Sequence, residues 1–338
     1  MRNARMGPVG GERRRRTLFA LFSTLLGCAL WSHPWAASPP QTQPLRKIAL
    51  VIGNARYLAV DALKNPGNDA HDMCEKLQEI GFESNCYVDV DTRARLRSVI
   101  EDFVDSAPDH AITFVYYAGH AVQLNNENYL IPTSARFTNP QELANQSVNL
   151  SFLMGQLSRT KSYVTVIILD ACRNNPLASE GQSFTPGLAR INEKPQDTAI
   201  LYASAANEIA MDGEGRNGIF TKHLLAHLHE PGTIEVLFRH VTDGVQQETE
   251  LLGYKQTPDL YTNIHVTYCL FKCTQLEELQ AQVEEAERKK RDAEARAAAG
   301  DSEAKHLADA YAAEIIKLKA AEKTAQKTQS NVAVPQVM

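Results

Sequence analysis

Positive charge is not gathered into a stripe: 35 Lys and Arg stand against 40 Asp and Glu, for a net charge of −5, and a basic block, Arg13 to Arg16, sits near the N-terminus. A nucleic-acid surface needs a clustered basic patch, so nucleic acid is not expected as a partner. Cysteine is sparse. The six residues Cys28, Cys74, Cys86, Cys172, Cys269 and Cys273 are too few and too irregular for a disulfide-dense small fold, and no pair has zinc-finger spacing completed by histidines. His223 and His227 share a helix face but lack a third ligand, and His229 and Ser204 complete no triad. Metal binding through Cys and His is therefore not expected. No G-x-G-x-x-G follows Gly53-Asn54, so a dinucleotide fingerprint is missing and no cofactor is expected.

A long hydrophobic run is also lacking. Thr17 to Trp31 is the nearest approach, and its roughly 15 residues fall short of the 20 or so that span a bilayer. Behind Arg13 to Arg16 it reads as a secretory signal over residues 1–37. Leu25-Leu26-Gly27-Cys28 resembles a bacterial lipobox, which would make Cys28 a lipid anchor; Ala36-Ala37 before Ser38 allows ordinary cleavage; Arg15-Arg16-Thr17-Leu18-Phe19 resembles a twin-arginine signal. An uncleaved anchor is the plainer alternative. All of these readings export the body, to the periplasm or to a membrane surface.

What is present is an alternation. After a Pro-rich linker (38–46), apolar runs at 47–54, 83–90, 111–119, 163–172 and 198–205 read as strands. Between and after them, helices are expected from a cap at Asn68 or Asp69 to Ile80, over Thr92 to Phe103, at Ser151 to Leu157, and near 218–228 and 233–249. Strands alternating with helices predict an α/β fold, a mainly parallel sheet covered on both faces, over residues 47–268. From 274 to 328 the composition shifts to Glu, Ala, Lys and Gln, with Leu276, Leu279, Val283 and Ala286, then Leu307, Tyr311, Ile315 and Leu318, at helical spacing around a break at Gly300-Asp301. This predicts a helical hairpin or weak coiled coil. It serves either as a self-association or partner element or as a solvated helix pair.

Two residues carry the chemistry. His120 directly follows the third strand and Cys172 closes the fourth. Ligands bind at the carboxyl ends of parallel strands, and an imidazole beside a thiol there is what nucleophilic sulfur chemistry needs. A caspase signature reads Gln-Ala-Cys-[Arg/Gln/Gly]-Gly with a histidine about 50 residues upstream. Here Asp170-Ala171-Cys172-Arg173-Asn174 matches at Ala, Cys and Arg, and His120 lies 52 positions before the cysteine.

Ala49-Leu50-Val51-Ile52-Gly53-Asn54, Asn65-Pro66-Gly67-Asn68-Asp69-Ala70, Tyr116-Tyr117-Ala118-Gly119-His120, Asn128-Tyr129-Leu130-Ile131-Pro132 and Leu169 to Pro176 join that signature in order. Residues 46 to 265 thus resemble the bacterial caspase-like cysteine peptidases, relatives of metacaspases and paracaspases. The resemblance implies a caspase-like three-layer sandwich and a peptide or protein substrate, with Cys172 as nucleophile and His120 as its acid/base partner. It implies an oxyanion hole from the N–H of Cys172 and one near Gly119 to Ala121. Asp69 and Asp170 match the acids that select Arg or Lys at P1; their structural alternatives are a helix N-cap for Asp69 and backbone capping for Asp170. The family usually has Gly after the histidine, where this chain has Ala121. If φ > 0 is required there, the chain would be an impaired scaffold acting through its tail. Asp212-Gly213 reads as a turn rather than a calcium loop. Cys74 with Cys86, and Cys269 with Cys273, either pair or stay free thiols. The long connection from Arg173 to Asp197 is either an uncleaved loop or a place where the enzyme nicks itself, after Arg190 or Lys194.

Overall fold

The computed structural model describes residues 45–172, 188–189, 191, 194–205, 210, 213–273 and 275–332. The expected export signal, Cys28, Arg173, Arg190 and Asp212 lie outside the described residues. In chain order the elements are β1 (Lys47–Gly53), α1 (Pro66–Glu79), β2 (Glu83–Val88), α2 (Arg93–Ser106), β3 (Ile112–Leu124), β4 (Glu127–Leu130), α3 (Pro140–Gln146) and β5 (Val148–Asn149). There follow α4 (Leu150–Leu157), β6 (Val164–Cys172), β7 (Thr198–Tyr202), α5 (Ile219–His227), α6 (Ile234–Leu251), β8 (Asp259–Thr262), α7 (Gln275–Ala298) and α8 (Ser302–Val332).

The period of two within the apolar runs explains the layers. Ala49 and Val51 of β1, Phe114 and Tyr116 of β3, and Val166 and Ile168 of β6 enter one core, under α1, α5 and α6 through Met73, Leu77, Phe220, Leu224 and Val241. Their neighbours Leu50, Ile52, Val115, Tyr117, Ile167 and Leu169 enter a second core, under α2 and α4 through Leu96, Val99, Phe103, Leu153 and Leu157. Strands apolar on both faces require cover on both. The sheet runs β2-β1-β3-β6-β7-β8, parallel except for β8. The chain is a three-layer α/β sandwich with a mainly parallel sheet and a C-terminal pair of helices.

Three details differ from expectation. α1 begins earlier than Asn68 or Asp69, because Asn65 is its N-cap and Pro66, with φ preset for a helix, opens its first turn. β3 does not stop at Gly119. It continues to Leu124 and pairs antiparallel with β4, so that His120 lies inside the strand rather than after it. Short β4, β5 and β8, and the one-cap helix α3, were not expected at all.

The tail folds as an antiparallel hairpin. Lys319 pairs with Glu287 at 2.7 Å, and Gly300, with φ +99°, turns the chain into a cap at Asp301, whose carboxylate accepts from the N–H groups of Glu303 and Ala304. Its base is tied to the sandwich. The Glu284 carboxylate accepts from the N–H and hydroxyl of Thr267, and Glu277 accepts from the Thr233 N–H at 3.2 Å. Among the described residues no helix is long and apolar enough to cross a membrane.

Candidate active site

The site is built where β6 ends beside β3, which runs on past it. Their parallel register runs Ala118 to Asp170, Gly119 to Ala171 and His120 to Cys172, the last pair of the ladder. Neighbouring strands lie about 4.8 Å apart, so the register alone makes the two chemistry-bearing residues backbone neighbours.

His120 is buried and its surroundings fix it on every side. Its Nε2 lies 2.8 Å from the backbone carbonyl of Asp61. A carbonyl can only accept, so Nε2 carries the proton, and in the neutral ring Nδ1 is left as the basic nitrogen. The backbone N–H of His120 donates to the Tyr57 hydroxyl at 2.7 Å, and the Tyr57 ring lies against the imidazole with centroids 4.5 Å apart. Tyr117 donates its hydroxyl to the His120 carbonyl at 2.8 Å. The loop that presents Tyr57 and Asp61 is itself held. Buried Asn54 donates to the Ile131 carbonyl and accepts from the Val90 N–H, while Asp89 accepts from the N–H groups of Ala55 and Arg56.

Gly119 is where glycine is needed. Its φ is +150°, and a Cβ there would stand 2.6 Å from the Tyr57 hydroxyl and 3.1 Å from the Asn54 carbonyl. Ala121 is buried, is paired with Leu130 and has no left-handed φ. The conformational demand expected at the residue after the histidine thus falls on the residue before it.

Asp69 and Asp170 meet around one buried phenol. Tyr116 contacts the Thr221 hydroxyl at 2.5 Å, and Thr221 donates to Asp170 Oδ2 at 2.5 Å. Asp69, buried in the first turn of α1, accepts from the N–H of Gly218, the N-cap of α5. It therefore caps not its own helix but the neighbouring one, where the helix dipole favours a carboxylate. Asp170 accepts from the Thr221 side chain. Burial first, then the charges of Asp170 and Asp69, push the Tyr116 phenol well up, so it stays protonated and able to donate.

The loop leading into α5 is latched onto α1. Arg216 grips Asp72 with two bonds of 2.8 and 2.7 Å, Asn217 adds a third at 2.9 Å, and Lys64 donates to the Glu214 carbonyl at 2.6 Å. The Arg216 guanidinium, outweighing burial, holds the Asp72 carboxyl down to about 2. Gly213 has φ +67°, and Asp212, with which a turn is expected, lies outside the described residues. Beyond the loop lies an open cleft of about 620 Å³ lined by Glu214, Lys222, Glu248 and Tyr254, which does not reach His120.

Both disulfides left open by the sequence are formed, Cys74 to Cys86 and Cys269 to Cys273. His223 pairs with Glu248, apart from His227. Lys194 lays its ammonium 3.5 Å over the Tyr261 ring, and burial lowers its pKa. It would have to leave that ring before it could serve as a cleavage point. Tyr57, the Asp61 carbonyl, Thr221 and Gly218 were not singled out from sequence. An aromatic three residues after the end of the first apolar run was the one available signal, for Tyr57.

Comparison with known proteins matches the caspase domain to residues 46–268. The human mucosa-associated lymphoid tissue lymphoma translocation protein 1 is 26% identical over 215 residues, 63% of this chain and 26% of that protein. Its mouse homolog is 26% identical over 205 residues, 60% of this chain and 24% of that protein. The chain spans about a quarter of the length of these curated relatives.

Proposed function

The chain belongs to the caspase-domain family, and from that premise we propose that it is a cysteine endopeptidase with Cys172 as nucleophile and His120 as acid and base. The observation that carries this reading is the β3–β6 register, which ends on His120 beside Cys172. The Asp61 carbonyl adds to it by holding the imidazole proton on Nε2. Nδ1 then takes the thiol proton as sulfur attacks the scissile carbonyl carbon, and returns that proton to the departing amine. Water afterwards hydrolyses the thioester, with the same imidazole as base. We place the oxyanion donors at the N–H of Cys172 and that of Gly119 or Ala121.

We assign the substrate a basic P1 side chain. Two carboxylates, Asp69 and Asp170, bear on one buried phenol at the end of β6, which concentrates negative potential where a guanidinium would enter. Two disulfides suit the oxidising compartment of an exported protein. Leu307 and Ile316, exposed on α8, offer the tail a surface for self-association or a partner.

Fluorogenic peptides differing only at P1, with a thiol-reactive Arg-directed probe, test the proposal. Arg and Lys peptides are expected to be cut and Cys172 labelled, with both signals lost in Cys172→Ala and His120→Ala. Asp170→Asn should lower kcat/KM for the Arg peptide at least about 100-fold, as for breaking a buried charge pair worth about 3–5 kcal/mol. Cleavage by Cys172→Ala would refute the mechanism, preferred cleavage after Asp would refute the pocket, and a silent, unlabelled Cys172 would favour the impaired scaffold.

A further inference from the structure

Far along α5 from the Gly218 cap, three side chains that no step above uses converge. His227 is the last residue of α5, Glu230 lies in the turn that follows, and His240 projects from α6. Glu230 presents one oxygen to each imidazole: Oε1 lies 2.9 Å from His227 Nδ1, and Oε2 lies 2.9 Å from His240 Nδ1. The two rings are 5.4 Å apart and tilted by 58°. One donor atom from each residue lies within 4.8 Å of the others.

The His227 contact satisfies the distance but not the direction of an N–H···O bond, and Nδ1 has no hydrogen-bond partner although it is shielded from solvent. Two donor atoms have approached each other without bonding. A zinc ion bound at about 2.0–2.1 Å holds tetrahedral donors about 3.3 Å apart, so the two 2.9 Å contacts must open slightly and the wider separations, all within 4.8 Å, must close for these atoms to hold it. Two imidazoles and one carboxylate form a ligand set that zinc favours, with a fourth position left for water. The side chains of His227, Glu230 and His240 are 25%, 37% and 44% exposed, which leaves a route in for the ion.

We propose that His227, Glu230 and His240 bind zinc, and that the ion braces the turn on which the helical hairpin is seated. That turn carries the Gly232 N–H, which donates to the Lys272 carbonyl at 2.9 Å, and Thr233, which is bonded to Glu277 of α7. The site stands apart from the proposed substrate acids. α5 runs from the Gly218 cap beside Asp69 to His227, which puts the ion at the other end of the helix from the substrate acids.

The test uses the full chain without a histidine tag, in a Cys172→Ala background so that the nucleophile cannot bind metal. Calorimetry with zinc chloride should find one tight equivalent, and zinc should raise Tm where calcium and magnesium do not. In His240→Ala zinc binding should weaken by roughly 100-fold, because losing a ligand costs at least what losing an outer partner does. Cobalt in place of zinc should give the visible bands of a tetrahedral ion, weakened likewise in Glu230→Gln, a change that keeps the turn's shape. Absence of a tight equivalent, or equal affinity in the parent and both variants, would overturn the proposal, leaving Glu230 as a carboxylate that merely bridges two imidazoles.

Discussion

The imidazole of His120 is oriented by groups that carry no sequence signal of their own. The Asp61 carbonyl is a backbone atom that any residue would supply, and it became visible only when the 54–63 loop was placed over the end of β3. His120 and Cys172, by contrast, were legible because both close or extend strongly apolar runs. Tyr57 is the sharper test of this arrangement. Tyr57→Phe keeps the ring but leaves the buried His120 N–H without an acceptor, a loss of about 1–3 kcal/mol. With His120 as the proposed base, we expect Tm to fall and kcat to drop severalfold with KM little changed, because the contacts of Tyr57 are to His120 itself. A variant with unaltered kcat and Tm would show that the hydroxyl is idle. Ala121 carries no left-handed φ, whereas Gly119 on the other side of His120 has φ +150°.

At the scale of elements, the readable pieces were those whose two faces are both apolar. β1, β3, β6 and β7 announced themselves, and so did the amphipathic α2 behind its Thr92 cap, which accepts from Arg95 at 3.2 Å. β4, β5 and β8 are two to four residues long, too short for a periodicity, and they exist because β3 overruns its parallel partners and β7 needs an edge. The loop before α5 belongs to this scale as well, since its order rests on α1. Asp72 is held at about 2 by Arg216, below the 3.9 or so of an unfolded chain. The latch is therefore at full strength above pH 4–5 and weakens as pH falls through 2. Because Arg216 is largely exposed, solvent screening leaves its contribution well below what the full shift would suggest. In Arg216→Ala, carbon-detected NMR should find the Asp72 pKa back near 4, and limited proteolysis should cut within 213–217 sooner than in the parent. An Asp72 pKa that stays near 2 would mean that another group holds it.

For the whole molecule, the sandwich and its tail followed from composition and alternation, whereas the two disulfides did not, because pairing is a matter of distance. Cys74–Cys86 ties α1 to edge strand β2 across a sequence separation of 12 residues. A loop of that length restrains the unfolded chain by about 3 kcal/mol. Reduction, which also opens Cys269–Cys273, should lower stability by at least that amount in guanidinium titrations, while Cys172 reacts with thiol reagents before any reductant is added. Intact mass should also show the processed chain beginning at a lipidated Cys28 or near Ser38, and gaining the mass of two reduced disulfides. A full-length chain with six free thiols would contradict the exported reading.

The sheet order also sets a timetable for synthesis. β1, the first strand among the described residues, lies between β2 and β3, and β3 begins 65 residues after β1 begins. At about 5–20 residues per second, several seconds pass between the emergence of Ile48 to Ile52 and that of their second partner. During that interval the growing chain presents an apolar strand with an open edge, the kind of edge that pairs with whatever strand comes first. A ribosome that pauses before Ala111 prolongs the exposure, so slow codons in that stretch favour pairing between nascent copies over pairing within one.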